Sequence, residues 1–223
     1  MRNISLSKLF KIFIIIFVSS YSFHSFSQLA IGGGLNSVVA FGVKKPYAGM
    51  HLFGEMREDD QSYYVKLSST LKQVILQDTI DLTPIDETLS MGSTNIDLTF
   101  KYTNIEVGKR YYFGQDIDFG FSAFGGSHVS LIFNKASIRP GNYDESLYQE
   151  PVSETGNVLS LAVGLNGGVQ QAYYFGTLYF DAGLNYLITA IPSNQLASDC
   201  ISNGIVRSVS FTFNIGYKRS IVW

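Results

Sequence analysis

The sequence predicts an all-β fold, an eight-stranded antiparallel up-and-down transmembrane β-barrel with an N-terminal signal peptide. Three observations carry this reading. Eight segments alternate apolar and polar residues with period two, the pattern of strands with two unlike faces. The connections between them alternate as well: the second, fourth and sixth are short, and the first, third, fifth and seventh are long. The polar faces consist mostly of Gly, Ser, Asn and Thr. Alternation alone also fits a soluble barrel with its apolar face inward. A water-facing surface, however, would be rich in Lys and Glu, whereas small polar residues suit the narrow interior of an eight-stranded barrel.

Composition agrees. Of 223 residues, 46% are hydrophobic and only 15% charged, against about 25% charged in soluble domains. Residues 1–27 read as the signal peptide. Arg2, Lys8 and Lys11 precede an apolar core at residues 12–18, and small residues, Ser25 and Ser27, favour cleavage before Gln28. That core is far shorter than the roughly 20 residues of a membrane helix. Residues 28–223 form the barrel domain. The 16 basic residues less the three of the leader face 18 acidic ones, so charge gives no reason to expect nucleic acid as a partner. One cysteine, Cys200, permits no internal disulfide, and with three histidines it offers no Cys/His cluster. No metal and no cofactor is expected.

The first strand begins at Gln28 and runs to Asn36, and a loop around Pro46 leads to the second, residues 47–57. A tight polar turn, residues 58–61, precedes the third, residues 62–72. Residues 73–95 lack a sustained period and read as a long connection. The fourth strand, residues 96–113, starts with Ile96, Leu98, Phe100 and Tyr102 on the outward row. The row then continues as Ile105, Val107, Lys109 and Tyr111, a phase slip that predicts a β-bulge near Thr103 and Asn104. The fifth strand, residues 117–134, alternates cleanly. A loop at residues 135–155 precedes the sixth strand, residues 157–170. The seventh covers residues 177–190, and a loop containing Cys200 leads to the closing strand from Val209. There Val209, Phe211, Phe213, Ile215 and Tyr217 share one face, and the chain ends on Trp223. All five prolines are expected in the long connections, since a closed ladder has no edge to hide them.

The run Asn104-Ile105-Glu106-Val107-Gly108-Lys109-Arg110-Tyr111-Tyr112-Phe113-Gly114 resembles a recurring strand of the small outer-membrane β-barrel proteins of Bacteroidetes. Glu106, Tyr111, Tyr112 and Phe113 match that pattern, and Gly108 stands where it has proline. Phe213-Asn214-Ile215-Gly216-Tyr217 is similar in rhythm. The resemblance implies an integral outer-membrane barrel of the eight-stranded OmpA/OmpX type. Such proteins are described as porin-like, or PorT-like where type IX secretion is involved. Outer-membrane lipid and the barrel-assembly machinery are expected as partners, with secretion or surface proteins as further candidates.

The inferred inner face carries Glu55, Arg57, Lys66, Lys101, Glu106, Arg110, Asp118, His128 and Asp181, with His51 beside them. Charges in a narrow lumen must pair or reach water, and Glu55 or Glu106 with Arg57 or Arg110 is the expected core of such a network. Its bland role is to fill the lumen; its functional role would be a narrow channel. His128 and Ser130 share a face at a spacing that suits a base and a nucleophile, which keeps a lipid-modifying enzyme as a third alternative. Aromatics near strand ends, Tyr63, Tyr111, Tyr112, Tyr174, Tyr217 and Trp223, are expected as membrane-interface anchors. The favoured expectation is a non-enzymatic barrel of the bacterial outer membrane with a structural, adhesion or secretion-accessory role.

Overall fold

A computed structural model describes residues 28–40, 45–86, 88–114, 119–151 and 153–221. The expected signal peptide (residues 1–27), Asp118 and Trp223 lie outside the described residues. Among the described residues, nine strands form one antiparallel sheet: β1 (Gln28–Ala40), β2 (Tyr47–Glu58), β3 (Gln61–Thr70), β4 (Gln73–Leu82), β5 (Gly92–Phe113), β6 (Gly120–Pro140), β7 (Glu154–Tyr173), β8 (Gly176–Pro192) and β9 (Val209–Ile221). A helix, α1 (Gln195–Ser202), stands between β8 and β9.

Eight walls close the ring. The closing strand pairs with β8 on one side, from Thr177↔Lys218 to Tyr186↔Val209, and with β1 on the other, from Leu29↔Ile221. The ninth strand does not add a wall. β3 pairs with the C-terminal half of β5, from Gln61↔Tyr111 to Ser69↔Thr103. β4 pairs with the N-terminal half, from Gln73↔Phe100 to Leu82↔Gly92. The two are therefore one interrupted wall, broken at Leu71 and Lys72. Here the expectation of a featureless connection over residues 73–95 is corrected. The bulge between Val74 and Leu76 displaces the period that would have marked β4 as a strand.

The faces are inverted relative to a soluble barrel. Leu35, Leu52, Leu165 and Ile215 are 59–67% exposed on the outside. Asn36, Glu55, Glu106 and Asn214 are buried inside. A barrel that shows its apolar row and hides its polar row has lipid as its outer solvent. The short connections after β2, β5 and β7 lie at the end that also holds Gln28 and Ile221.

Toward the opposite end the polarity reverses. Leu98, Phe100 and Tyr102 are buried on the same inward row as Glu106 and Arg110, while Thr99, Lys101 and Thr103 take the outward row. The β5–β6 register runs without a shift from Ile96↔Pro140 to Phe113↔Ala123. There is no bulge at Thr103 and Asn104, and Lys101 is not a lumen residue. The apolar row changes face because the strand leaves the membrane: outside it, water wets the outer face, and the interior can take apolar side chains. There Val38, Tyr47, Phe100, Tyr102 and Ile132 pack into one cluster, and Leu196 and Cys200 of α1 complete it from above.

Candidate functional site

The lumen below this cluster is the candidate site. Its side chains come from β2, β3, β5, β8 and β9, each from the inward position of a strand. Arg110 Nη2 donates to Asp181 Oδ2 at 2.7 Å. Lys66 Nζ lies 3.0 Å from Glu106 Oε1, its direct cross-strand partner, and 3.9 Å from Asp181 Oδ1. Lys218 Nζ donates to Glu55 Oε2 at 2.6 Å. These pairs replace the expected combinations of Glu55 or Glu106 with Arg57 or Arg110.

Neutral groups complete the network. Ser62 Oγ donates to Glu55 Oε1, and Tyr64 OH donates to Glu106 Oε1, each at 2.6 Å. Tyr112 OH donates to Glu55, and Asn214 donates to Asp181. The Arg110 guanidinium lies 4.2 Å from the Tyr64 ring centroid and 4.7 Å from that of Phe124. Among the described residues, three buried carboxylates (Glu55, Glu106, Asp181) thus face three buried cations (Lys66, Arg110, Lys218). Pairing of this kind is what allows charges to stay ionised away from water.

The other site residues divide by position. Arg57 lines a cavity of about 450 Å³ at the short-turn mouth, together with Lys218 and Gln170. His128 is buried, with Nε2 2.7 Å from Asn185 Oδ1 and Nδ1 3.8 Å from Glu106 Oε1. Ser130 lies on the same inward row and is also fully buried. Both side chains are buried on the lumen face, away from the lipid-facing row. Lys101 stands outside the barrel, and Asp118 falls outside the described residues. Lys218 was legible as the next member of the polar row of the closing strand, after Asn214 and Gly216. Tyr64 was legible from its phase, two residues before Lys66.

The aromatic anchors need one correction. Tyr112 is 4% exposed and belongs to the lumen, bonded to Glu55 and to Lys218 Nζ at 3.1 Å. It sits in phase with Arg110, whereas Tyr111 and Phe113 point outward. On the outer surface Lys109 Nζ lies 5.2 Å from the Tyr63 ring and 4.7 Å from the Tyr111 ring. Tyr173 stacks on Phe175 at 5.1 Å, and Tyr217 donates a hydrogen bond to the Phe175 carbonyl. Tyr174 is 93% exposed at the β7–β8 turn.

At the far end, the tip of the sheet is held by turns. Asp144 accepts from the Ser146 hydroxyl and amide, and Asp86 accepts from the Thr88 amide and hydroxyl. These bonds hold both carboxyls below their ordinary range. Among the described residues, no three His, Cys, Asp or Glu side chains group as a metal site would require.

Fold and lumen together define a small transmembrane β-barrel with a filled interior. Its likenesses among solved structures are to bacterial surface and outer-membrane proteins. Neisserial surface protein A shares 14% identity over 88% of this chain and 96% of its own, with a TM-score of 0.47. Ail, the attachment invasion locus protein of Yersinia pestis, shares 16% over 86% and 97%, at 0.43. A major outer membrane protein from Thermus thermophilus shares 11% over 86% and 99%, at 0.49. No protein family and no curated protein matches the sequence.

Proposed function

We propose that this chain is a non-enzymatic integral barrel of a bacterial outer membrane, in which the lumen is structural fill and the surface-exposed sheet carries the role. That role is structural or adhesive, or accessory to secretion. The observation that supports it best is the division of the interior. Paired charges occupy the membrane level, an apolar cluster closes the level above, and α1 covers it. Beyond the ring, β4 continues with β5 and β6 as a sheet. Among the described residues, the edge of β4 away from β5 has no strand beside it. Its partners in this reading are outer-membrane lipid, the assembly machinery that inserts it, and surface or secretion proteins that meet the sheet.

Membrane fractionation of cells expressing the full chain tests the location. Recovery in the outer-membrane fraction, with a folded band that shifts on heating, is the expected result; recovery in the soluble periplasm overturns it. Planar-bilayer recording tests the lumen. The expected trace is lipid background, and reproducible unitary conductance steps would replace structural fill with a channel.

A further inference from the structure

On the outward row of β5 and β6, successive rungs oppose Asp97 to Arg139, Thr99 to Ser137, and Lys101 to Lys135. The first of these sets opposite charges face to face, as stable sheets do. The last sets like charges face to face, which destabilises a sheet when nothing else intervenes. Lys135 is exposed and Lys101 half-buried, and among the described residues neither reaches an acidic side chain. Lys72 lies at the same level, in the break beside Gln73, which pairs with Phe100.

The level of this pair in the membrane follows from the strand itself. From the interfacial Tyr111 to Lys101 is ten residues. At about 3.4 Å per residue and a tilt near 40°, that spans roughly 26 Å. An apolar band of a transmembrane barrel is about 25 Å tall. Lys101 and Lys135 therefore mark the opposite membrane boundary. It is also the level at which the apolar row of β5 changes face. Directly below them, Ile105, Leu131 and Phe133 continue the same two rows as an apolar lane.

We propose that Lys101 and Lys135 bind the phosphate of a lipid headgroup in the outer leaflet, with the lipid's chains lying along Ile105, Leu131 and Phe133. This rests on the reading of the chain as a membrane barrel. A phosphate between two ammonium groups removes their repulsion and forms charge-assisted hydrogen bonds to both. The hydroxyls of Ser69 and Thr103, bonded to each other at 3.2 Å, supply a polar shoulder one rung below.

The test uses the full mature barrel refolded in neutral maltoside micelles, with thermal unfolding as the readout. Phosphatidic acid added to the micelles is expected to raise the midpoint. Diacylglycerol, which lacks the phosphate, and inorganic phosphate at the same concentration are expected to leave it unchanged. The double variant Lys101→Gln, Lys135→Gln should lose most of the rise. It should melt no lower than the parent in neutral micelles, since the repulsion is gone. Lys101→Glu should melt higher than the parent without lipid, through a new pair with Lys135, and should also lose the rise. An unchanged rise in the double variant, or none in the parent, overturns the site. A rise with inorganic phosphate equal to that with phosphatidic acid overturns the lipid as its ligand. Flotation of the parent with neutral vesicles reads membrane insertion separately, so the site can fail while the barrel reading stands.

Discussion

Arg110 and Asp181 are 71 residues apart in sequence, yet Nη2 and Oδ2 meet at 2.7 Å across the barrel interior. Each is at most 2% exposed. The pair ties β5 to β8, which share no ladder hydrogen bonds, so it braces walls that are not neighbours. Removing one member takes from the other its nearest opposite charge, with only the more distant Lys66 left to Asp181, in a place water does not reach. Arg110→Ala and Asp181→Ala should each lower stability by about 3–5 kcal/mol. The double variant should cost less than the sum, because neither charge is then left alone. Urea unfolding in lipid vesicles measures all three, and strictly additive losses would mean the two residues do not act as a pair.

The inversion of faces along β5 yields a second prediction. Leu98 and Phe100 are buried in the apolar cluster, and Thr99 stands between them on the outward row. Leu98→Lys should cost about 4 kcal/mol or more, since it buries a charge that has no partner there. Thr99→Lys should stay within about 0.5 kcal/mol. A bulge at Thr103 and Asn104 would reverse this order. Unfolding midpoints of the two variants therefore distinguish the continuous strand from the slipped one.

That inversion also explains what could be read from the chain. Period-two alternation identified the ring because each strand in the membrane has lipid on one side and a polar lumen on the other. The same pattern misleads at Leu98, Phe100 and Tyr102 under the assumption that apolar means outward along the whole strand. That assumption holds only inside the bilayer. β4 was missed because its bulge and its edge position relax the pattern: no second strand demands a face. Lys66 and Glu106 were identifiable as lumen charges, but not as partners. Pairing depends on the β3–β5 register, which sets Lys66 opposite Glu106. Lys101 shares the phase of Thr99 and Thr103, so the reversal that turns Phe100 inward turns Lys101 outward.

The β7–β8 turn depends on one backbone angle. Gly176 has φ +147°, a region that L side chains rarely adopt. A Cβ placed there would come within 2.2 Å of the Tyr217 hydroxyl, which the Phe175 carbonyl holds in place. Gly176→Ala should therefore cost about 1–3 kcal/mol and disturb the Tyr173–Phe175–Tyr217 stack. Unfolding measures the first effect, and near-ultraviolet circular dichroism measures the second. The same Cβ would also come within 2.4 Å of Tyr217 Cζ and 2.5 Å of Cε2, so Tyr217→Phe in the same background should recover little of the loss.

The cover over the apolar cluster rests on a helix cap. Asn194 Oδ1 accepts from the Ala197 amide at 3.1 Å, while its Nδ2 donates to Glu154 Oε1 at 2.8 Å and to the Thr155 carbonyl at 3.1 Å. One side chain thus starts α1 and fastens it to β7. Behind it Cys200 is 1% exposed, and burial pushes its thiol above the ordinary range, which leaves less of the thiolate that reacts. The intact barrel should label slowly with a maleimide and rapidly after unfolding. Asn194→Ala should cost about 1 kcal/mol and speed labelling without opening the ring. Fast labelling of the parent protein at neutral pH would mean that α1 does not stay seated on the cluster.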